Sequence, residues 1–313
     1  MTWRVANWVH SAPPEVIYSK GKEIQFLDYV GSNVIAVTAT TVFCAAALEN
    51  ATLNIYTPTG RRCGGQKVRL AKSLTKVNSC RLMPSILLDS PCVVLDACKH
   101  FVMVITCTAR LCVWYVVFEY GTTSLLKFTP TCRNVKLQKA HIPSTFIRPL
   151  LSPSKPSLLS ATVRPNGSPA LLMSDGVAYS YDVTLSAWVI LSETRWGQGS
   201  QVWEGKQRAS ANRASATSKG IMASIESAIN DLDLRNQPPA PGILPDEPDK
   251  APSWWNEALT LGHLESRILG SKILDSPGEY KTNLQLYAKR LADEGFRAKA
   301  EEMLRELSGP IYW

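Results

Sequence analysis

The sequence has few histidines, and it lacks the short motifs that mark common catalytic sites. Only four of its 313 residues are histidine. It contains no glycine-rich phosphate loop, no dinucleotide-binding fingerprint and no Gly-x-Ser-x-Gly elbow. Carboxylates are sparse in the strand-rich first part, so no acid–base pair is suggested there. These absences argue against the usual nucleotide-dependent and hydrolytic enzymes, and they predict a protein without a cofactor.

Membrane and export signals are also absent from the sequence. No run approaches the 18 or more apolar residues of a membrane span, and the first residues do not combine a basic region with an apolar block. Eight cysteines are present, but none are spaced as C-x-x-C and no nearby histidine completes a zinc set. Cys44, Cys107 and Cys112 lie in apolar runs, which predicts free buried thiols, a reducing compartment and no bound metal.

Positive charge is concentrated in two stretches of a chain whose net charge is +8. Residues 61–81 include seven Lys or Arg and no acid, and residues 206–219 include four. Such runs can bind phosphates by releasing counterions. The candidate phosphate contacts are Arg61, Arg62, Lys67 and Arg69. A solvated loop is the favoured alternative, because neither run contains the aromatic residues that a single-strand binding platform needs.

The first part of the chain is predicted to form short antiparallel strands separated by turns, two of them at residues 165–167 and 174–176. Three strands end in an aromatic residue, like the strand before the Trp-Asp corner of a WD blade. These residues are Tyr56, Trp114 and Tyr181, which are 58 and 67 residues apart. A regular blade repeats every ~40–45 residues. The pattern therefore predicts WD-like blades in an open propeller-like or sandwich unit.

Composition divides the chain into three predicted regions. A β-rich WD-like blade domain covers residues 1–191. A basic linker rich in Ser, Ala and Pro covers residues 192–253 and includes one short amphipathic helix near residues 221–229. A helical tail, folded as a small bundle, covers residues 254–313. The predicted fold class is thus mainly β with a helical C-terminal tail (α+β).

The helical tail carries an apolar stripe that needs cover. Residues 276–279, Ser-Pro-Gly-Glu, have the pattern of a capping box, in which a serine and an acid cap the same helix. Gly295 is predicted to end that helix in a left-handed conformation. Because the linker leaves the stripe few neighbours, we expect it to dock on the β unit or on a partner. The docking residues are Tyr287, Leu291, Phe296 and Leu304.

One strand, residues 111–118, is apolar at every position. A strand with one wet face alternates apolar and polar residues, so both faces of this strand need cover. Trp114 and Tyr115 are neighbours and point to opposite faces. One face can pack on the core, and the other requires a tail helix or a second copy of the chain. Because aromatic residues often anchor interfaces, the pattern predicts self-association through Val113, Trp114 and Tyr115.

Several segments together resemble one family. Residues 53–62 form a strand followed by Pro-x-Gly-Arg-Arg, and residues 81–84 read Arg-Leu-Met-Pro. Residues 101–114 and 174–188 follow as two further blade-like repeats. The strongest segment is residues 287–296, Tyr-Ala-Lys-Arg-Leu-Ala-Asp-Glu-Gly-Phe. In order and spacing these segments resemble the C-terminal region of the Hira family.

The resemblance implies a non-catalytic scaffold in a nuclear, replication-independent histone chaperone complex. It also implies self-association into a closed homo-oligomer, with a trimer favoured, and recruitment of a Cabin-type helical-repeat subunit. Histones would be contacted only indirectly, because histones are basic and this chain is basic as well. The alternative is a basic β domain that binds DNA or RNA non-specifically and weakly. A third hypothesis is an unrecognised hydrolase. No membrane contact is expected.

Overall fold

The computed structural model describes residues 2–7, 13–20, 22–57, 85–121, 131–139, 145–146, 156–203, 220–232 and 253–309. The strands are β1 (Thr2–Ala6), β2 (Glu15–Lys20), β3 (Glu23–Tyr29), β4 (Val34–Ala39), β5 (Cys44–Leu48), β6 (Thr52–Tyr56), β7 (Ile86–Leu87), β8 (Cys92–Cys98), β9 (Phe101–Thr106), β10 (Arg110–Gly121), β11 (Thr131–Lys139), β12 (Thr145–Phe146), β13 (Leu158–Val163), β14 (Pro169–Met173), β15 (Ala178–Asp182) and β16 (Ala187–Ser192). The helices are α1 (Trp196–Gly199), α2 (Ile221–Asp231), α3 (Ser253–Ile273), α4 (Pro277–Asp293) and α5 (Arg297–Ser308). None of these described helices is long and apolar enough to cross a membrane.

The strands form four sheets in which neighbours in sequence are mostly neighbours in space. Their orders are β1-β2-β3, β4-β5-β6-β7, β11-β10-β9-β8 with β12 beside β10, and β13-β14-β15-β16. The pairings within them are antiparallel, for example β5 with β6 and β9 with β10. None of these sheets, as far as their residues are described, closes on itself. The predicted set of short antiparallel strands followed by helices is present.

The chain divides into two compact units. The first contains Met1–Lys155 and Ala161–Pro169, and the second contains Pro156–Ser160 and Ala170–Trp313. Strands β14 to β16 thus belong to the same unit as the helices, whereas composition changes after residue 191. The proposed domain boundaries follow composition rather than contacts, and they stay a prediction.

The strand β5 shows how the first unit is packed. All five of its residues are buried, and they alternate between two apolar clusters. Ala45 and Ala47 face a cluster with Phe43, Leu53 and Val104. The other residues, Cys44, Ala46 and Leu48, face a cluster that includes Val16 and Tyr56. The small alanines leave room for neighbouring layers on both faces of the second sheet, as expected for stacked blades.

Local turn chemistry agrees with the sequence. Gly167 and Gly176 have φ angles of +86° and +75°, in the left-handed region that favours glycine. The amide N–H of Gly176 donates to the carbonyl of Met173 at 3.0 Å. The Asp175 carboxylate accepts the N–H of Val177 at 3.1 Å, which fixes the hairpin between β14 and β15. Both predicted turns are confirmed.

In the second unit, one face of the fourth sheet packs against α2 and α3. Their shared cluster includes Leu172, Leu191, Met222 and Ile229, and α2 confirms the short amphipathic helix predicted near residues 221–229. The helix α3 runs without interruption through two glycines that lower its intrinsic propensity. A Cβ atom on the second of these, Gly270, would lie 2.6 Å from Sδ of Met222, so this position is glycine because α2 approaches closely.

The predicted capping box at the start of α4 is wrong. Pro277 is the first helical residue as expected, but Ser276 makes no side-chain capping bond. The carboxylate of Glu279 is turned away and accepts N–H bonds from Met222 and Ala223, at the start of α2. At the other end of α4 the prediction is confirmed, because Gly295 has a φ of +72°. The tertiary partner of Glu279 thus outcompetes the local one.

Candidate assembly surfaces

The strand predicted to mediate self-association lies inside the third sheet. Trp114 of β10 faces Val102 of β9 on one side and Lys139 of β11 on the other. Val116, which shares a face with Trp114, is fully buried in the core that also contains residues of the second sheet. The Trp114 side chain is partly buried against the same core. This face of the strand is therefore mostly covered within the chain.

The opposite face of β10 carries Tyr115 and Val113. The Tyr115 ring is partly buried and contacts Phe101 and His100, with centroid distances of 5.0 Å and 5.5 Å. Val113 is 1% exposed, so it lies in the interior and not on a contact surface. The exposed area of this predicted site thus comes from parts of Trp114 and Tyr115 alone. Self-association through the strand stays a prediction.

Two exposed aliphatic residues on edge strands were not predicted from the sequence. Leu87 in β7 and Val93 in β8 are 80% and 63% exposed. Both strands lie at the end of their sheets, where a row of backbone groups is open to pairing. Leu87 stands next to Leu88, which is buried. A pair of adjacent leucines does not reveal which of the two faces inward, so the sequence carried no signal for this site.

The predicted docking stripe of the tail is split between the interior and the surface. Tyr287 and Leu291 are buried in a cluster with helix α3, and the Tyr287 hydroxyl donates to the Glu265 carboxylate at 2.6 Å. Burial, with this bond and charge, raises the pKa of the tyrosine above its usual range. In contrast, Phe296 and Leu304 are 41% and 58% exposed. Docking of the stripe on the β unit or on a partner stays a prediction.

The remaining predicted residues are the candidate phosphate contacts and the cysteines. The candidate phosphate contacts Arg61, Arg62, Lys67 and Arg69 lie outside the described residues. The free cysteines are Cys44, Cys92, Cys98, Cys107 and Cys112. Burial raises the pKa of Cys92 to about 11, as expected for an inert thiol. Cys107 is exposed, contrary to the prediction, because it lies in the turn after β9. Within the described residues no cluster of His, Cys, Asp and Glu could hold a metal.

The second unit contains a buried polar network that the sequence did not reveal. His263 of α3 lies between two partners, with Nδ1 2.9 Å from Ser200 Oγ and Nε2 2.9 Å from Glu226 Oε1. Arg267 lies 3.3 Å from the same oxygen of Glu226. Because a carboxylate only accepts, Nε2 carries the hydrogen. In a neutral imidazole, Nδ1 then accepts from the Ser200 hydroxyl.

A serine, a histidine and a glutamate in a chain of hydrogen bonds also occur in hydrolases, where the serine is exposed to substrate. Here the His263 and Glu226 side chains have no exposed surface, and Ser200 is 3% exposed. The imidazole lies against the Trp196 ring, nearly parallel at 5.5 Å, and against Trp203. A substrate cannot reach the serine in this arrangement. The network instead links α2, α3 and the loop that contains Ser200.

Comparisons with known proteins identify the class and then the family. Antiparallel WD-like sheets that do not close on themselves, with C-terminal helices, define an open WD-like fold. A crystal structure of HIRA has this fold, with a TM-score of 0.60, 20% identity, and coverage of 96% of this chain and 76% of that chain. The Hira family model, described as TUP1-like enhancer of split, matches residues 79–307. The chain belongs to the Hira family.

Curated relatives extend this likeness over almost the whole chain. Protein HIR1 of Mycosarcoma maydis is 29% identical, with 99% of this chain and 28% of that protein covered. The histone transcription regulator slm9 of Schizosaccharomyces pombe is 26% identical, with 93% and 32% covered. The chain thus spans about a third or less of the length of these relatives. The fold class predicted from the sequence, and the Hira resemblance, are confirmed.

Proposed function

We propose that this chain is a non-catalytic assembly domain in a nuclear histone chaperone complex. The observation that carries the proposal is the family match, which covers residues 79–307 and so includes parts of both compact units. A relative named as a histone transcription regulator supports a role in chromatin. The buried state of the Ser200–His263–Glu226 network supports the non-catalytic part, because this grouping has no access to substrate.

Histones are contacted indirectly in this proposal. The chain carries a net charge of +8, and a basic surface repels basic histones. The histone-binding surface therefore belongs to another part of the complex. The contribution of this domain is to hold copies and subunits together.

The first assembly contact is self-association through Trp114 and Tyr115, giving a closed homo-oligomer with a trimer favoured. These partly exposed aromatic side chains lie on opposite faces of one strand, so each can contact a different neighbouring copy. Val113 lies on the same face as Tyr115 and is buried. In a cyclic arrangement every copy forms the same contacts with its neighbours and no binding surface is left unpaired, which is why closed rings are common.

The experiment changes Trp114 and Tyr115 together to alanine and measures mass by light scattering. The parent should be larger than a monomer, and the double variant should lose mass while its circular dichroism stays unchanged. The matched control changes Trp254 and Tyr29, which are 59% and 58% exposed, and should keep the parent mass. A monomeric parent, or a folded double variant with the parent mass, contradicts the proposal.

The second assembly contact is a Cabin-type helical-repeat subunit at the end of the tail. Phe296 and Leu304 are exposed apolar residues on and beside α5, and the buried Tyr287 and Leu291 fix the helix beneath them. Changing Phe296 and Leu304 to serine should abolish co-purification of that subunit. A matched change of the exposed Leu286 to serine should have no effect. Unaltered co-purification by the first variant would exclude this surface.

A basic domain that binds DNA or RNA is the alternative, and the acid-free basic run of residues 61–81 favours it. Binding through this run would be non-specific and would weaken steeply as salt increases. Replacing Arg61, Arg62, Lys67 and Arg69 with glutamine should then reduce both the affinity for any duplex and the salt slope. Absence of measurable binding at low salt removes this alternative.

A further inference from the structure

Strand β16 ends the fourth sheet, and within the described residues no strand pairs with its outer edge. Its neighbour in the sheet is β15, which it contacts along Ala187–Ser192. None of the described backbone hydrogen bonds outside helices and sheets involves residues 187–191. In an antiparallel pair, alternate residues direct their N–H and C=O groups away from the partner strand. The edge of β16 therefore offers backbone donors and acceptors to a further strand.

The other strands that end a sheet in the described part of the chain carry features that oppose pairing. Strands β1, β3, β8 and β11 each contain a charged residue, and β7 and β12 have only two residues each. Strands β4 and β13 are uncharged, but side chains bond to their backbone. Asn7 bonds both the N–H and the C=O of Val34, and the Asp96 carboxylate accepts the N–H of Val163.

Charged residues, proline and short length are the usual means by which proteins prevent pairing at a sheet edge. Strand β16 has six residues, Ala-Trp-Val-Ile-Leu-Ser, with no charge and no proline. Its one irregularity is a shift of register between Ala178 and Tyr179 of β15, which lies opposite Leu191 near the end of β16. Residues 187–190 therefore keep regular pairing and form the least protected of these edges.

One face of β16 is fixed by the helices, and the other carries exposed apolar side chains. Leu191 packs in the cluster with α2 and α3. On the opposite face Ile190 pairs with Tyr179, and Trp188 pairs with Tyr181, whose ring it contacts edge-on at 5.5 Å. Ile190 is 45% exposed and Trp188 is half-buried. A strand added at this edge can thus contact apolar side chains without any rearrangement of β16.

Acidic side chains lie at one end of this edge. Burial raises the pKa of the Tyr179 hydroxyl, and the carboxylates of Asp175 and Glu193 raise it further, so both lie near the exposed face. Arg195 pairs with Glu193 at 2.6 Å, whereas none of the ion pairs among the described residues involves Asp175. A negative charge therefore remains here on a chain whose net charge is +8. It favours a basic residue in an added strand.

We propose that the edge of β16 receives an extended segment of a partner protein, which adds a fifth strand to the fourth sheet. The segment runs antiparallel to β16, with two apolar side chains opposite Ile190 and Trp188. Its start lies at the end of β16, so a Lys or Arg two residues before the first apolar position lies near Asp175 and Glu193. This contact is separate from those proposed for Trp114 and Tyr115 and for the tail.

A peptide with the sequence Ser-Lys-Thr-Val-Thr-Val-Thr-Ser, blocked at both ends and carrying a fluorescent label, is the probe. Its binding to the whole chain is measured by fluorescence anisotropy. Ile190→Lys should weaken binding about tenfold or more, because a charge opposes pairing at an edge. The matched control is Leu159→Lys, which should leave the affinity unchanged. Leu159 is 47% exposed and lies on β13, at the other end of the same sheet.

Two further peptides test whether the backbone is recognised. Each carries N-methyl groups at alternate residues, in one peptide at the odd positions and in the other at the even positions. Only one set of N–H groups faces β16, so one peptide should lose about tenfold or more in affinity and the other should bind like the parent peptide. A peptide with Glu in place of Lys should bind about threefold more weakly or worse.

Absence of saturable binding up to about 1 mM peptide, or equal effects of the two methylation patterns, overturns the proposal. Equal binding by the Ile190→Lys and Leu159→Lys chains, or by the Lys and Glu peptides, does so as well. A lower mass of the Ile190→Lys chain in light scattering would assign the edge to a second copy instead of a partner. If Ile190→Lys changes the circular dichroism, the methylated peptides decide the question, because they require no change in the protein.

Discussion

The two compact units are stabilised by different kinds of buried contact. In the first unit the largest buried cluster consists of aliphatic and aromatic residues from neighbouring strands, such as Leu53, Ile55 and Val104. In the second unit a charged pair and a histidine lie fully buried beside the apolar clusters. The difference concerns distance along the chain as well as chemistry. Strand neighbours are close in sequence, whereas Ser200 and His263 are 63 residues apart.

The two kinds of contact also respond differently to substitution. Removing a buried methylene group costs the transfer free energy and leaves a cavity, and the loss is graded. Removing one partner of a buried ion pair leaves the other charge without compensation, so the loss is larger than the net contribution of the pair. Substitutions of each kind therefore test the comparison.

The largest effect is expected for Glu226→Ala. The change leaves Arg267 buried without its carboxylate and removes the acceptor of His263, so we expect a loss of ~3–5 kcal/mol in the free energy of unfolding. Urea denaturation followed by circular dichroism measures it. Glu301→Ala is the matched control, because Glu301 forms an exposed ion pair with Arg297 and should cost at most ~0.5 kcal/mol. If Glu226→Ala lowers the free energy of unfolding no more than Glu301→Ala does, the buried network does not contribute more to stability than an exposed ion pair.

Shortening a buried apolar side chain should lower the free energy of unfolding by a similar amount in both units. Leu53→Ala in the first unit and Leu291→Ala in the second each remove a fully buried side chain, and each should cost ~2–5 kcal/mol. Leu304→Ala removes an exposed leucine from the same apolar stripe as Leu291 and should change stability by less than ~0.5 kcal/mol. Thermal unfolding of the three variants checks the order. A large loss for Leu304→Ala would place that residue in the core.

These expectations show which features could be predicted from the sequence. Alternating apolar residues and turn glycines such as Gly167 and Gly176 act over a few residues, so strands, hairpins and the short helix α2 were predicted. Features that depend on a distant partner were not. Glu279 has the right spacing for a local cap, yet its carboxylate binds the N-terminus of another helix. His263 appeared isolated because its partners lie on separate segments.

The surface residues were harder to predict than the core for the same reason. Phe296 and Leu304 continue the stripe of Tyr287 and Leu291, but they are exposed, whereas Tyr287 and Leu291 pack in a cluster with α3. Trp114 and Tyr115 lie on a strand that needs cover on both faces, and most of that cover comes from within the chain. An apolar pattern predicts that burial of a residue is favourable. It does not show whether the same chain provides enough neighbouring residues to bury it.

A smaller loss of stability is expected at Glu279, and it shows whether this residue caps its own helix α4 or the start of α2. Glu279→Ala should destabilise the protein by ~0.5–2 kcal/mol, because two N–H groups at the start of α2 lose their acceptor. Ser276→Ala should have almost no effect, because the serine makes no capping bond. Denaturation curves of the two variants provide the measurement. A larger loss for Ser276→Ala would restore the capping box predicted from the sequence.

The smallest effect is expected at the hairpin between β15 and β16, where polar contacts are local. Asp182 accepts bonds from the Thr184 hydroxyl at 2.6 Å and from the Thr184 N–H at 2.7 Å. The hydroxyl bond is the main reason that the pKa of Asp182 lies below its ordinary value. A lowered folded-state pKa means that the stabilisation is fully present above the unfolded pKa of about 3.9 and is lost as the pH falls through the folded value.

Amide exchange of Thr184, corrected for its intrinsic pH dependence, should therefore be constant from pH 7 to pH 5 and accelerate below pH 4. Asp182→Asn should remove this dependence, and a transition between pH 5 and pH 7 would assign the titration to another group.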